Sequence, residues 1–278
     1  MTGSPLVSLD ELRALSDAPA LLDVRWALGD RHGHEHYLEG HLPGAVYVDL
    51  DSELSAPPSV TGGRHPLPAL ADLQDAARRW GLREGGSVVL YDAVGGTSAA
   101  RGWWLLRWAG VRDVALLDGG LGAWTAAGLE LQTGEVVPAP GDVVLHAGET
   151  EVLDAEDAAA LARRGLLLDA RAGERYRGEV EPVDTRAGHI PGARSAPTAA
   201  NLAPDGRFLA PDELRRRFEA LGAAPGVAVG VYCGSGVSAA HEIAALALAG
   251  YDALLYPGSW SAWSADPARP AATGSEPG

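Results

Sequence analysis

Apolar and polar residues follow two alternating rhythms along this chain of 278 residues. Short runs rich in Val, Leu and Tyr lie between longer stretches whose apolar positions recur every three or four residues. The first rhythm suits a strand buried on both faces, the second an amphipathic helix. In the C-terminal half the pattern predicts a helix over 154–164, a strand over 165–170, a helix over 212–221, a strand over 227–232, a helix over 238–249 and a strand over 253–256. In the N-terminal half it predicts a strand over 88–92 and a helix over 99–109. Strands that alternate with helices in this way build α/β domains around a mainly parallel sheet.

The two halves also repeat each other. LLDVR at 21–25 returns as LLDAR at 167–171, and HLPGA at 41–45 as HIPGA at 189–193. VLYD at 89–92 returns as GVYC at 230–233, and GGLGAW at 119–124 as GSWSAW at 258–263. The order is kept and the offsets stay between 139 and 148 residues, so the chain reads as a tandem duplication. The stretch 132–150, with two prolines, three glycines and little periodicity, reads as the connection between the copies. Residues that recur in both copies, His41 with His189 and Trp124 with Trp263, read as structural. Asp23 and Asp169, at matching strand ends, are expected to bind nearby backbone N–H groups.

Composition narrows the chemistry. The length suits two domains of ordinary size, and 46% hydrophobic residues suit a globular chain. A net charge of −15 argues against nucleic acid and anionic membrane surfaces. All 22 basic residues are arginine, which excludes Schiff-base chemistry, the lysine of a P-loop and any catalytic ammonium. The single cysteine, Cys233, excludes an internal disulfide and a cysteine-based zinc site. The N-terminal segment has no basic region followed by an apolar run, and no stretch reaches the length of a membrane span, so the expected location is cytoplasmic, where a lone thiol stays reduced.

That thiol sits in a telling place. Cys233-Gly234-Ser235-Gly236-Val237-Ser238 follows a predicted strand and precedes a predicted helix. Ligands of open parallel sheets bind beyond the carboxyl ends of the strands. Two glycines let successive N–H groups turn towards one point, and the helix start adds its own donors; together these favour a thiolate. The competing reading is a small buried hydrophobe, and the sequence of strand, glycine-rich loop and helix weighs against it without removing it. A cysteine phosphatase would need an arginine six positions on to grip phosphate, and that position is Ala239. In the first copy the cysteine position is Asp92, which cannot carry sulfur, so chemistry is expected in the second copy alone.

The tandem units, the H-[IL]-P-G-A motif in each and the CGSGVSA loop at 233–239 together resemble the two-domain rhodanese superfamily. The loop is closer to that of 3-mercaptopyruvate sulfurtransferases (C-G-S/T-G-V-T-A) than to the C-R-K-G-V-T loop typical of thiosulfate sulfurtransferases. The resemblance implies an α/β fold of two tandem rhodanese-like domains, each a mainly parallel sheet flanked by helices. A catalytically silent domain is expected over 1–132, a linker over 133–149 and the catalytic domain over 150–278.

The resemblance also implies a sulfurtransferase working by ping-pong without metal or organic cofactor. Cys233 takes sulfane sulfur as a persulfide and yields it to cyanide, a small thiol or thioredoxin. Gly234, Gly236, Val237 and Ser238 would line the substrate loop, and Arg175 would hold the donor's anionic group. The second arginine of the mercaptopyruvate enzymes, about nine positions on, is missing; Arg186 is the expected substitute. A Ser–His–Asp relay would comprise Ser235, His65 and Asp51, with Asp49 competing for the acid role. Bland alternatives make Arg175 a solvated side chain, His65 a loop residue and Asp51 a helix cap. The expected donor is 3-mercaptopyruvate. Thiosulfate is the alternative, and a persulfide carrier with little turnover of its own is the third reading.

Overall fold

The computed structural model describes residues 4–146, 148 and 151–278. Two compact units emerge. One comprises Met1–Ala56, Pro68–Thr150 and Ala203–Phe208; the other comprises Pro57–Leu67, Glu151–Leu202 and Leu209–Gly278.

The first unit contains strands β1 (Leu6–Val7), β2 (Ala20–Asp23), β3 (Val46–Tyr47), β4 (Val88–Tyr91) and β5 (Val114–Leu117). Its helices are α1 (Leu9–Ala14), α2 (Gly33–Glu39), α3 (Leu70–Arg79), α4 (Ala99–Trp108) and α5 (Gly120–Ala126). The second unit contains strands β6 (Leu166–Asp169), β7 (Arg194–Ser195), β8 (Val229–Tyr232) and β9 (Leu254–Leu255), with helices α6 (Ala155–Arg164), α7 (Gly173–Tyr176), α8 (Pro211–Ala220), α9 (Ser238–Leu248) and α10 (Ser259–Ala265).

Both sheets are parallel, in the orders β1-β5-β4-β2-β3 and β7-β6-β8-β9. A single parallel bridge from Val152 to Leu255 stands where β1 pairs β5 in the first copy, so the two sheets share one topology. The duplication seen in sequence is thus a duplication of fold. Strands β4, β5, β6 and β8 are buried at every residue, because helices cover both faces of a parallel sheet. That is why they read as continuous apolar runs.

Local chemistry sets the helix limits. Helix α6 opens on a capping box in which Asp154 and Asp157 exchange backbone and side-chain bonds, and two arginines fill its last turn. Helix α3 buries Leu73, Ala76 and Ala77, one face at spacings of three and four. Predicted and observed elements agree within two residues. The strand expected over 227–232 starts at Val229 because Val227 N–H closes a turn onto the Ala224 carbonyl. The recurring histidines are structural: His41 stacks on Tyr37 at 4.0 Å between centroids and His189 on Tyr176 at 3.7 Å. In each pair Nδ1 bonds the tyrosine's own carbonyl oxygen. Asp23 and Asp169 both grip the guanidinium two residues on, Arg25 and Arg171, and Asp169 Oδ1 also accepts the Arg171 backbone N–H at 3.0 Å, as expected of it.

Two expectations about domain limits change. Residues 133–146 are strapped onto the first unit rather than forming a free linker: Gly134 N–H bonds the Leu38 carbonyl, Gly141 N–H that of Arg78, and Val143 and Leu145 are buried. The expected end of the linker and first residue of the second domain, 149 and 150, lie outside the described residues. Second, the loops 57–67 and 203–208 each join the unit formed by the other copy. Both precede the equivalent helices α3 and α8, and neither carries a compositional break that would mark the exchange.

Beneath α9 lies a buried polar network. Glu242 accepts from Asn201 Nδ2 at 2.6 Å and from Arg217 Nη1 at 3.4 Å, while His241 Nδ1 meets Thr198 Oγ1 at 2.6 Å. Burial pushes the Glu242 carboxyl up to about 7, with Arg217 and Asn201 acting in the opposite sense. A carboxyl whose folded pKa exceeds its unfolded value costs stability as it ionises. Unfolding free energy is therefore expected to fall between pH about 4.5 and about 7, by roughly 3 kcal/mol from this group, and to flatten above. Urea titrations across that range should show the slope in the wild type and its loss in Glu242→Gln.

Candidate active site

Cys233 follows the last residue of β8, is buried and carries a free thiol. The Gly236 N–H points at its Sγ at 3.1 Å, which requires the left-handed turn that Gly236 makes at φ +81°. Three bonds from the start of α10 hold the loop: Cys233 N–H donates to Ser259 Oγ at 3.1 Å, and the Cys233 and Gly234 carbonyls accept from Trp260 and Ser261 N–H, both at 2.9 Å. Ser259 holds φ +52°, unusual for a residue with a Cβ; its counterpart in the first copy is Gly120 at +51°. The serine accepts that strain while its hydroxyl bridges Cys233 N–H and the Tyr256 carbonyl.

In the first copy the corresponding loop closes around a carboxyl group. Asp92 Oδ1 accepts N–H bonds from Val94 and Gly96, and Oδ2 from Ser98 and Ala99, at 2.7–2.9 Å. Burial raises this carboxyl above its usual range and the four donors act against that. Six residues separate Asp92 from α4 against four between Cys233 and α9, so the first loop is wider. Asp92→Ala leaves three buried donors and one half-buried donor without their acceptor and should cost about 3 kcal/mol or more in urea denaturation. Asp92→Cys should create no second sulfur carrier, read as a single sulfur added per chain.

Ser235 and His65 meet. His65 Nδ1 lies 2.7 Å from Ser235 Oγ, and both side chains are buried. His65 belongs to the 57–67 segment, so this segment brings the imidazole to the cysteine loop. With Nδ1 unprotonated, the hydroxyl donates to the ring. Asp51 is exposed in the first unit and accepts the Trp26 indole N–H at 3.1 Å. Its competitor Asp49 spends Oδ1 on Ser52 N–H, closing a local turn.

Arg175, at α7, has its Nη2 on Glu181 at 2.6 Å and on Asp184 at 3.1 Å. Asp184 also binds Arg64 Nη1. A methyl group placed on Gly234 would lie 2.9 Å from Arg64 Nη2 and 3.5 Å from Arg175 Nη1. Two guanidinium edges therefore stand over the residue after the cysteine, and glycine is what leaves them room. The loop itself is neutral, yet two guanidinium groups reach it from distant segments, each paired with a carboxylate. Arg64 escaped the sequence reading; its one signal was adjacency to His65.

Arg186 does not join them. Its guanidinium donates to the carbonyls of Ser264, Arg269, Trp263 and Asp266 at 2.9–3.2 Å, closing the end of α10. Four carbonyls consume its donors, which corrects its expected role as the second substrate arginine. Val237 is buried at the turn into α9, and Ser238 is the first residue of that helix. Pro58, Val60, Arg64, Val183, Asp184 and Ser261 line an open cleft of about 420 Å³ at this edge of the second unit.

Burial raises the Asp184 carboxyl above its usual range, with Arg64 opposing it. Glu181 is held below its usual range: burial opposes ionisation, and the pairing with Arg175 together with the backbone N–H bonds from Asp184 and Val183 outweighs it. Both carboxylates are almost wholly withdrawn from solvent.

Known proteins resemble this chain in sequence and fold. The rhodanese-like domain family matches residues 8–127 and 152–266. A Pseudomonas aeruginosa protein named for 3-mercaptopyruvate sulfurtransferase activity is 51% identical, covering 99% of this chain and 100% of the relative. The SseB protein of Mycobacterium tuberculosis, named for thiosulfate, is 49% identical over 98% of both chains. The crystal structure of the Escherichia coli 3-mercaptopyruvate enzyme SseA superposes with a TM-score of 0.80 at 33% identity, covering 93% of this chain and 99% of that one. With the same fold twice, a lone cysteine at the end of the central strand of the second copy and full-length relatives of one chemistry, this chain belongs to the rhodanese family as a two-domain sulfurtransferase.

Proposed function

We propose that the protein moves sulfane sulfur from 3-mercaptopyruvate to a thiol or cyanide through a persulfide on Cys233. The observation that carries this reading is the Ser235–His65 hydrogen bond beside the buried thiol. The Cys233 thiolate attacks the donor sulfur, the carbon–sulfur bond breaks and its electron pair passes into the pyruvate enolate. The donor's thiol proton ends on the new methyl group, and the persulfide is left as an anion. A donor whose leaving group is carbon needs its carbonyl polarised and a proton supplied, and a hydroxyl backed by imidazole does both. Arg175 and Arg64 offer the carboxylate two guanidinium edges. Asp51 is proposed as the acid supporting His65, tested by a kcat loss in Asp51→Asn. The acceptor, a small thiol or thioredoxin, attacks the outer sulfur and restores the thiolate.

Thiosulfate transfer is the second reading, favoured by the two cations over Gly234, where the neutral loop had suggested none. Sulfite then leaves without needing a proton. Steady-state rates with both donors on one preparation decide between them. The expected result is a higher kcat/KM for 3-mercaptopyruvate, and a preference for thiosulfate would overturn the assignment.

A further inference from the structure

We propose that Asp184 determines donor selectivity, by placing a fixed negative charge between the two arginines that face the cysteine loop and so weighting the site against doubly charged donors. The proposal rests on the reading above, in which the donor's anionic group meets Arg64 and Arg175.

The geometry is specific. One carboxylate oxygen of Asp184 binds Arg64 Nη1 and the other binds Arg175 Nη2 at 3.1 Å, so a single side chain bridges both cations. The nitrogens not bound to Asp184, Arg64 Nη2 and Arg175 Nη1, are the nearest of each group to Gly234. Glu181 adds a second carboxylate, on Arg175 at 2.6 Å, and also reaches Arg171. Arg171 is itself paired with Asp169 at 2.6 Å. Counted together, three guanidinium groups meet three carboxylates, and the cluster is neutral. Two cations set out to receive an anion therefore offer it directional hydrogen bonds with little net field. Bond geometry serves a carboxylate well whatever the surrounding field, because fork and carboxylate match in shape. A dianion relies more on net charge, and here it meets the Asp184 carboxylate behind both arginines.

Coulomb energy is linear in the donor's charge. Removing one negative charge at a fixed place must therefore change the logarithm of affinity about twice as much for a dianion as for a monoanion. Mercaptopyruvate carries one negative charge at neutral pH and thiosulfate two. A residue that only holds the arginines in position would affect both donors alike. The ratio of the two donors separates charge from positioning.

The test uses the full chain, with kcat/KM measured for both donors at low ionic strength. Asp184→Asn keeps an oxygen for the arginines and removes the charge; Asp184→Glu keeps the charge. In Asp184→Asn, kcat/KM should rise about 10-fold for 3-mercaptopyruvate and about 100-fold for thiosulfate, raising the thiosulfate-to-mercaptopyruvate ratio about 10-fold. Asp184→Glu should leave that ratio at the wild-type value, and 0.5 M salt should shrink the effect of Asp184→Asn. Asp184→Ser serves as a second neutral variant, with thermal denaturation to show that each variant is folded. Equal changes for the two donors, or the same shift of ratio in Asp184→Glu as in Asp184→Asn, would overturn the proposal while leaving sulfur transfer intact. A wild type inert towards both donors would instead sink the donor reading, and the proposal with it.

Discussion

Cys233→Ser should reduce sulfur transfer from either donor to background. A hydroxyl cannot form a persulfide, and no other thiol exists in the chain to take over. Incubating the wild type with donor alone should add one sulfur, about 32 Da, to the intact mass, as persulfidation of a thiol requires; the serine variant should stay unshifted. The substitution should leave the fold in place. The loop is held by backbone bonds to Ser259, Trp260 and Ser261, and the serine oxygen can still accept the Gly236 N–H. A melting temperature within a few degrees of wild type would locate the loss in chemistry, on the scale by which small changes shift Tm. Turnover surviving in Cys233→Ser, or a wild type that never gains mass, would refute the persulfide mechanism.

The second large effect concerns the buried pair at 2.7 Å, Ser235 and His65. Each alanine variant should lower kcat with 3-mercaptopyruvate about 100-fold, the usual scale for loss of a proton-handling group. The double variant should be little worse than either single one, because the two side chains act as a unit. With thiosulfate the same variants should lose only a few-fold, since sulfite departs without protonation. That contrast distinguishes a role in chemistry from mere support of the loop, which would weaken both reactions together. Residues 151–278 expressed alone would lack His65 and Arg64, because the segment that carries them lies far earlier in the chain. That fragment should match the His65→Ala defect or exceed it.

Much of this was legible in the residues. The fully buried strands read as apolar runs, since a parallel sheet covered on both faces admits little else. The duplication was visible because two copies of one fold keep the same turn and core residues. It also isolated the chemistry: His41 and His189 recur and prove structural, whereas Cys233 stands opposite Asp92 and does not recur. The cysteine and the glycine turn behind it follow from local pattern, while Arg175 was singled out by the family resemblance.

What tertiary structure decided is which distant side chains converge on that cysteine. Arg186 and Arg64 are both plausible cations in sequence. Only folding sends Arg186 to the carbonyls ending α10 and Arg64 to the space above Gly234. The exchange of 57–67 and 203–208 between the two units was equally silent, because these loops lack a periodic face that would announce their partner. Hydrophobic periodicity reports the neighbours a residue meets along its own helix or strand. Charge pairing across 120 positions, as between Arg64 and Asp184, is set by where the chain returns in space, and so local sequence determined the fold and the sulfur carrier while tertiary structure decided the electrostatics around it.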